Sequence, residues 1–210
     1  MRRAPRLDLT PLIGALARRT GDKTTDAILD AAVTVLVSGG LRRCTVEEIA
    51  ERANVGRSTI YRRFDGRDEI IYAVIARELH QLLDDVSATV EHLERLEDKL
   101  VEGFIAGLKS AESSPLLQLI RSEPDLLLLL VDDGVPAVKM VTQILVAQLV
   151  SILGDQTVDV QRATHGAEVL FRLGISFVLM PGSTLPLQDD SEARLALHAV
   201  FDPLLRGVSS

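Results

Sequence analysis

Between Thr45 and Gly66 the chain carries two apolar-periodic stretches, each too short to stand alone and separated by about four residues. Thr45-Val46-Glu47-Glu48 has the form of a capping box, in which the Thr45 hydroxyl and the Glu48 carboxylate satisfy orphan amides reciprocally. Val46, Ile49, Ala50 and Ala53 then recur at the spacing of a half-buried helix. Asn54 falls where a tight turn asks for left-handed backbone, which asparagine tolerates better than most residues. A further short helix over about 57–64 turns Ile60 and Phe64 inward before Asp65-Gly66 breaks it. Two such helices cross steeply only where a small residue sits at their contact, and Ala50 meets that need. Ile49, Val55 and Ile60 would bind the pair to a preceding helix. Arg57, Thr59, Arg62 and Arg63 are left largely outside, and a helix presenting cations and hydroxyls on one side suits the DNA major groove.

The flanking segments continue the helical texture. Ala27, Ile28, Ala31, Ala32, Val35 and Leu36 form one apolar stripe from Thr24 to a stop at Gly39-Gly40. Ile70, Ile71, Val74, Ile75, Leu79 and Leu82 form another, running from Gly66 to about residue 90. Further helices are expected over about 94–112, 115–122, 125–131, 136–153, 159–180 and 190–206, with Pro115, Pro124, Pro136, Pro181 and Gly207 as start and stop signals. No stretch alternates as a strand would, so the expected fold is all-α. Apolar residues make up 47% and aromatics 3%, a mixture that favours helices and a sizeable core.

The net charge of −7 conceals a division. Residues 1–80 hold 14 Lys+Arg against 11 Asp+Glu, whereas residues 81–210 hold 9 against 19. A mildly basic head on an acidic body is compatible with phosphate contact, which depends on the local field. Residues 1–22 gather Pro5, Pro11, Gly14 and Gly21 among arginines and read as a loose basic arm. Arg2, Arg3, Arg6 and Arg18-Arg19 could add minor-groove or phosphate contacts, the alternative being a disordered tail. Cys44, the one cysteine, cannot form an internal disulfide. An apolar run such as 126–131 is far short of the roughly 18 residues a membrane span needs, so the expected location is the cytoplasm with no membrane partner.

Chemistry leaves few marks. His80, His92, His165 and His198 are scattered, and His165 with Glu168 offers two ligands where a metal site needs at least three. There is no nucleophile elbow, phosphate loop or dinucleotide fingerprint. No catalytic residue, metal or cofactor is expected.

The stretches Thr45-Val46-Glu47-Glu48-Ile49-Ala50 and Ala53-Asn54-Val55-Gly56-Arg57-Ser58-Thr59-Ile60-Tyr61-Arg62-Arg63-Phe64 resemble the DNA-binding domain of TetR-family regulators. Phe64-Asp65-Gly66-Arg67-Asp68-Glu69-Ile70 is similar to the family's approach to its fourth helix. The resemblance covers roughly 50 of 210 residues. It implies that Thr45, Gly56, Arg57, Ser58, Thr59, Tyr61, Arg62, Arg63 and Arg67 form the DNA-binding set. Within it, Thr45 contacts a phosphate, Arg57 and Thr59 look out at base edges, and Tyr61 meets the backbone. Arg62 and Arg63 extend the backbone contact, and Arg67 takes the place of a phosphate-binding lysine. Gly56 departs from the family, which often has a serine capping the third helix.

The resemblance also implies a repressor that binds a palindromic double-stranded DNA operator as a homodimer and is released by a small effector. Dimerisation would use the last two long helices, with Val169, Leu170, Leu173, Phe177, Leu195, Leu197, Val200, Phe201 and Leu204 as seam residues, some of which must face the protomer's own core. The expected organisation is a flexible arm (1–22), a helix-turn-helix domain (23–68) and a helical effector-binding and dimerisation domain (69–210). The apolar surplus of that last domain suits an apolar or amphipathic effector, with Phe104, Leu108, Arg121, Met140, Gln143, His165 and Phe171 as candidate lining. The scarcity of aromatics argues against flat cationic dyes and for a lipid-like or acyl molecule. The alternatives are a constitutive or protein-controlled helix-turn-helix regulator without an effector, and a helical ligand carrier with a vestigial DNA module.

Overall fold

Asp22 opens the first helix by doing what an N-cap must do. Its carboxylate accepts the Thr24 N–H at 3.0 Å and the Thr25 hydroxyl at 2.7 Å. A computed structural model of the chain describes residues 22–115, 117, 120, 142–147, 160–180 and 182–206. Its elements are α1 (Lys23–Arg43), α2 (Val46–Arg52), α3 (Arg57–Tyr61), α4 (Arg67–Val90), α5 (Leu96–Ser113), α6 (Val160–Leu179) and α7 (Asp190–Arg206). No strand occurs among the described residues. The expected helices over 115–122, 125–131 and 136–153 lie largely outside them. Two compact units are described, one reaching Gln81 and including Ser114 and Ile120, the other comprising Leu82–Ser113 and the described residues from 142 onward.

In the first unit, Ile28, Leu29, Ala31, Ala32, Val35 and Leu36 bury one face of α1. By length and composition α1 could cross a membrane. Its apolar stripe is instead spent on the core, with Asp30 outside. The expected stop at Gly39-Gly40 takes the form of a break. Gly40 has φ 67° and ψ −178°, a conformation open essentially to glycine alone, after which Leu41 to Arg43 make one more turn.

The Thr45 hydroxyl accepts the Glu48 N–H at 3.2 Å, which is half of the expected capping box. The Thr45 N–H goes elsewhere, to the Arg43 carbonyl at 2.9 Å, in an inverse γ-turn centred on Cys44 with φ −74° and ψ 84°. At the other end of α2, Asn54 is left-handed at φ 53°. The Val55 N–H returns to Ala50 at 3.0 Å and the Asn54 N–H to Glu51 at 3.2 Å, the paired bonds of a Schellman ending. α3 closes at Tyr61, earlier than expected. The Arg63 and Phe64 amides nevertheless continue its winding through bonds to the Ile60 carbonyl at 2.8 and 2.9 Å. Ile49, Ala50, Ile60 and Phe64 join the α1 stripe in one buried cluster. Each such large side chain contributes about 1.5–3 kcal/mol on burial.

The start of α4 packs on the three helices before it. Ile70, Ile71, Ala73 and Val74 belong to the same cluster as α1 to α3, so the first half of this helix completes the helix-turn-helix core. Arg77 fastens it to α1 through Asp30 at 2.8 Å. In the second unit α5 packs on both α6 and α7. Val101 and Ile105 meet Ala193, Leu197 and Phe201. Phe104 stands edge-to-face against Phe177 and Phe201, with centroids 6.0 and 5.4 Å away.

Candidate nucleic-acid interface

The buried pair Ile60 and Phe64 fixes how α3 is rotated, and thereby which side chains it offers outward. Arg57, Ser58, Tyr61 and Arg62 are exposed and Thr59 is half-buried. Tyr61 is 55% exposed, an aromatic ring left in water beside a well-filled core. On the neighbouring helix the Thr45 hydroxyl, already capping α2, lies on an exposed residue. Gly56 caps α3 with no side-chain bond and with ordinary backbone angles, φ −71° and ψ 147°.

The cations of this face differ in their commitments. Arg62 is exposed with no ion-pair partner among the described residues. Arg57 Nη1 lies 3.1 Å from Glu47 Oε1, a pair exposed on both sides. The Arg63 Nε donates to Asp22 at 3.0 Å. That bond, followed by those from Thr25 and Thr24, holds the Asp22 carboxyl well below the usual carboxylate range.

Arg67, expected to contact a phosphate, is engaged within the head in the single chain. Its Nη2 donates to the Leu41 carbonyl at 2.8 Å, and its buried Nε has no hydrogen-bond partner. The carbonyl-rich end of α1 draws the guanidinium inward. The same group lies beside Cys44, whose thiol is pushed up to about 11 by burial while Arg67 pulls the other way. Local sequence signals Asp22 as a cap, but nothing local signals its link to Arg63 or the partners of Arg57 and Arg67.

The candidate effector residues differ in their surroundings. Phe104 is in the aromatic core, Leu108 and Phe171 are half-buried, and Gln143 and His165 are exposed in the single chain. Arg121 and Met140 lie outside the described residues. A groove of about 410 Å³ does open in the second unit, lined among others by Asp85, Glu102, Lys109, Ser110 and Arg194. Its charges are satisfied locally: Arg194 forks onto Glu102, Lys109 meets Asp190 at 2.6 Å, and Ser110 donates to Asp85 at 2.8 Å.

Residues 28–74, which span the helix-turn-helix and the start of α4, match the profile of bacterial regulatory proteins of the tetR family. TtgW of Pseudomonas putida, an HTH-type transcriptional regulator, is 30% identical over 108 residues, covering 50% of this chain and 80% of TtgW. The chain belongs to the TetR family. As a TetR-family protein it is a DNA-binding transcriptional regulator and not an enzyme. SrpR, another HTH-type regulator of P. putida, is also 30% identical over 108 residues, a match spanning half the length of each protein. The fold agrees with the crystal structure of the TetR-family repressor AlkX from a Dietzia species, implicated in biodegradation of n-alkanes. That likeness has a TM-score of 0.65 and 24% identity, and covers 87% of this chain and 97% of AlkX.

Proposed function

We propose that this TetR-family regulator works in the bacterial cytoplasm as a homodimeric repressor that reads an inverted-repeat operator and is released by a small apolar or amphipathic effector. The observation that carries the dimer is the division of the last two helices. Leu197 and Phe201 fill the core, while Leu195 is 74% exposed and Val169, Leu173 and Val200 are exposed with it. Apolar side chains left outside a filled core are a surface waiting for a partner, and a two-fold copy is the simplest one. Two reading heads then demand two half-sites.

Within each head the DNA-binding set is Thr45, Gly56, Arg57, Ser58, Thr59, Tyr61 and Arg62, with Arg63 and Arg67 holding the head together. Arg57 and Thr59 read bases, and Thr45, Tyr61 and Arg62 take phosphates. Support for an apolar effector comes from the relation to AlkX and from the apolar surplus of the chain. The second reading is a regulator that is constitutive or controlled by a protein partner, without a small molecule.

Selection of bound duplexes from a random DNA pool at near-physiological salt tests the central reading. Recovery of one inverted repeat is expected. Weak binding that salt abolishes, with no sequence recovered, would overturn it. Fatty acids and acyl thioesters added to the selected complex then test the effector. Failure of both to release DNA or raise the melting temperature would favour the second reading.

A further inference from the structure

The face built for DNA contains a carboxylate where one is costly. Glu47 is exposed in the first turn of α2, two residues from Thr45, and its Oε1 lies 3.1 Å from Arg57 Nη1 at the start of α3. A carboxylate in the first turn of a helix is favoured by the helix end itself, but Glu48 supplies that too. The ion pair across to Arg57 is particular to Glu47. In water so exposed a pair is weak. Under a docked duplex it would be desolvated, and a carboxylate near phosphates repels unless a cation holds it.

We propose that Glu47 is the positioning residue that sets the specificity of Arg57. A free arginine side chain samples many rotamers and can settle on any phosphate. One paired with a carboxylate fixed on α2 has fewer, and its N–H donors remain available for a bidentate contact with the O6 and N7 of a guanine. Glu47 thus restrains where the guanidinium sits before DNA arrives. Its charge also penalises docking in which Arg57 leaves it for the backbone, so discrimination rises while affinity for random DNA falls. The inference rests on the reading of Arg57 as a base contact.

The test uses the full-length protein and a duplex recovered from a random pool by the wild type. Its affinity is compared with that of a variant lacking the contacted guanine and with random-sequence DNA, at two salt concentrations. Arg57→Ala is expected to erase the discrimination against the variant duplex. Glu47→Ala should lower it about tenfold while tightening binding to random DNA, and should change discrimination no further when added to Arg57→Ala. Glu47→Gln, which keeps an acceptor oxygen, should restore part of the discrimination but not the penalty on random DNA. Full discrimination in Glu47→Ala, with Arg57→Ala erasing it, would overturn this inference alone. Full discrimination in Arg57→Ala would overturn the base-reading assignment and this inference with it. Melting curves of each variant keep loss of fold apart from loss of reading.

Discussion

Arg63 reaches back from the end of α3 to Asp22, so the carboxylate that caps the first helix also anchors the last turn of the reading element. Forty-one positions separate the two residues, and one carboxylate serves both ends of the head. A change at either residue should therefore affect stability and DNA affinity together.

Asp22→Asn is expected to lower the melting temperature at neutral pH and to weaken operator binding. Because the folded-state pKa of Asp22 is depressed, its contribution is complete above the ordinary carboxylate range and is lost as the pH falls through the folded value. The gap between wild type and variant should thus be widest near pH 7 and shrink on acidification. A gap that grows on acidification would contradict the bond.

Arg67→Ala should cost about 1.5–3 kcal/mol of stability, the usual worth of a hydrogen bond with a charged partner, here to the half-buried Leu41 carbonyl. The salt dependence of operator binding should not change. A phosphate contact would instead remove about 0.9 from the slope of log K against log salt. Urea unfolding and a salt titration together separate these outcomes.

Gly56→Ser should be accepted. A Cβ there would meet only the Ser58 and Thr59 hydroxyl oxygens, at 3.6 and 4.0 Å, and the backbone angles suit any residue. Serine in place of a glycine cap is worth a few tenths of a kcal/mol, and its hydroxyl adds a phosphate donor. Slightly tighter DNA binding with unchanged sequence preference is the expected result. A fall in melting temperature would count against the cap geometry.

Leu195→Glu and Leu197→Glu should behave oppositely although two residues apart. Leu195 is 74% exposed and Leu197 2% exposed, so the first should leave a folded protein that sediments as a monomer and the second should unfold. A Leu195→Glu protein that remained dimeric would move the seam elsewhere.

The sequence is most legible where structure is local. Asn54, the Thr45 cap and the inward turn of Ile60 and Phe64 each depend on neighbours within about five positions, and each stands in the fold as expected. Side-chain partners across the head are another matter. Arg63 and Arg67 have the composition of phosphate contacts, but Asp22 and the Leu41 carbonyl compete for them, and only the packed fold brings these together. The half-made capping box, by contrast, is a local competition: an inverse γ-turn at Cys44 gives the Thr45 amide to the Arg43 carbonyl before Glu48 can take it. In α7 the exposed Val200 lies beside the buried stripe of Ala193, Leu197 and Phe201, so periodicity alone could not divide seam from core. The head's charge is also more even than the first 80 residues suggest. Residues 22–80 hold nine Lys+Arg against ten Asp+Glu, and the positive balance lies wholly in residues 1–21.

The break in α1 has a genetic corollary. At Gly40 the backbone takes angles that no side-chain-bearing residue holds comfortably, and the position is buried against the reading head. A screen for alleles that lose regulation should therefore return substitutions at Gly40 alongside those on α3. Such alleles would be recessive losses of a folded head, distinguishable by low protein abundance from lesions in the recognition surface itself.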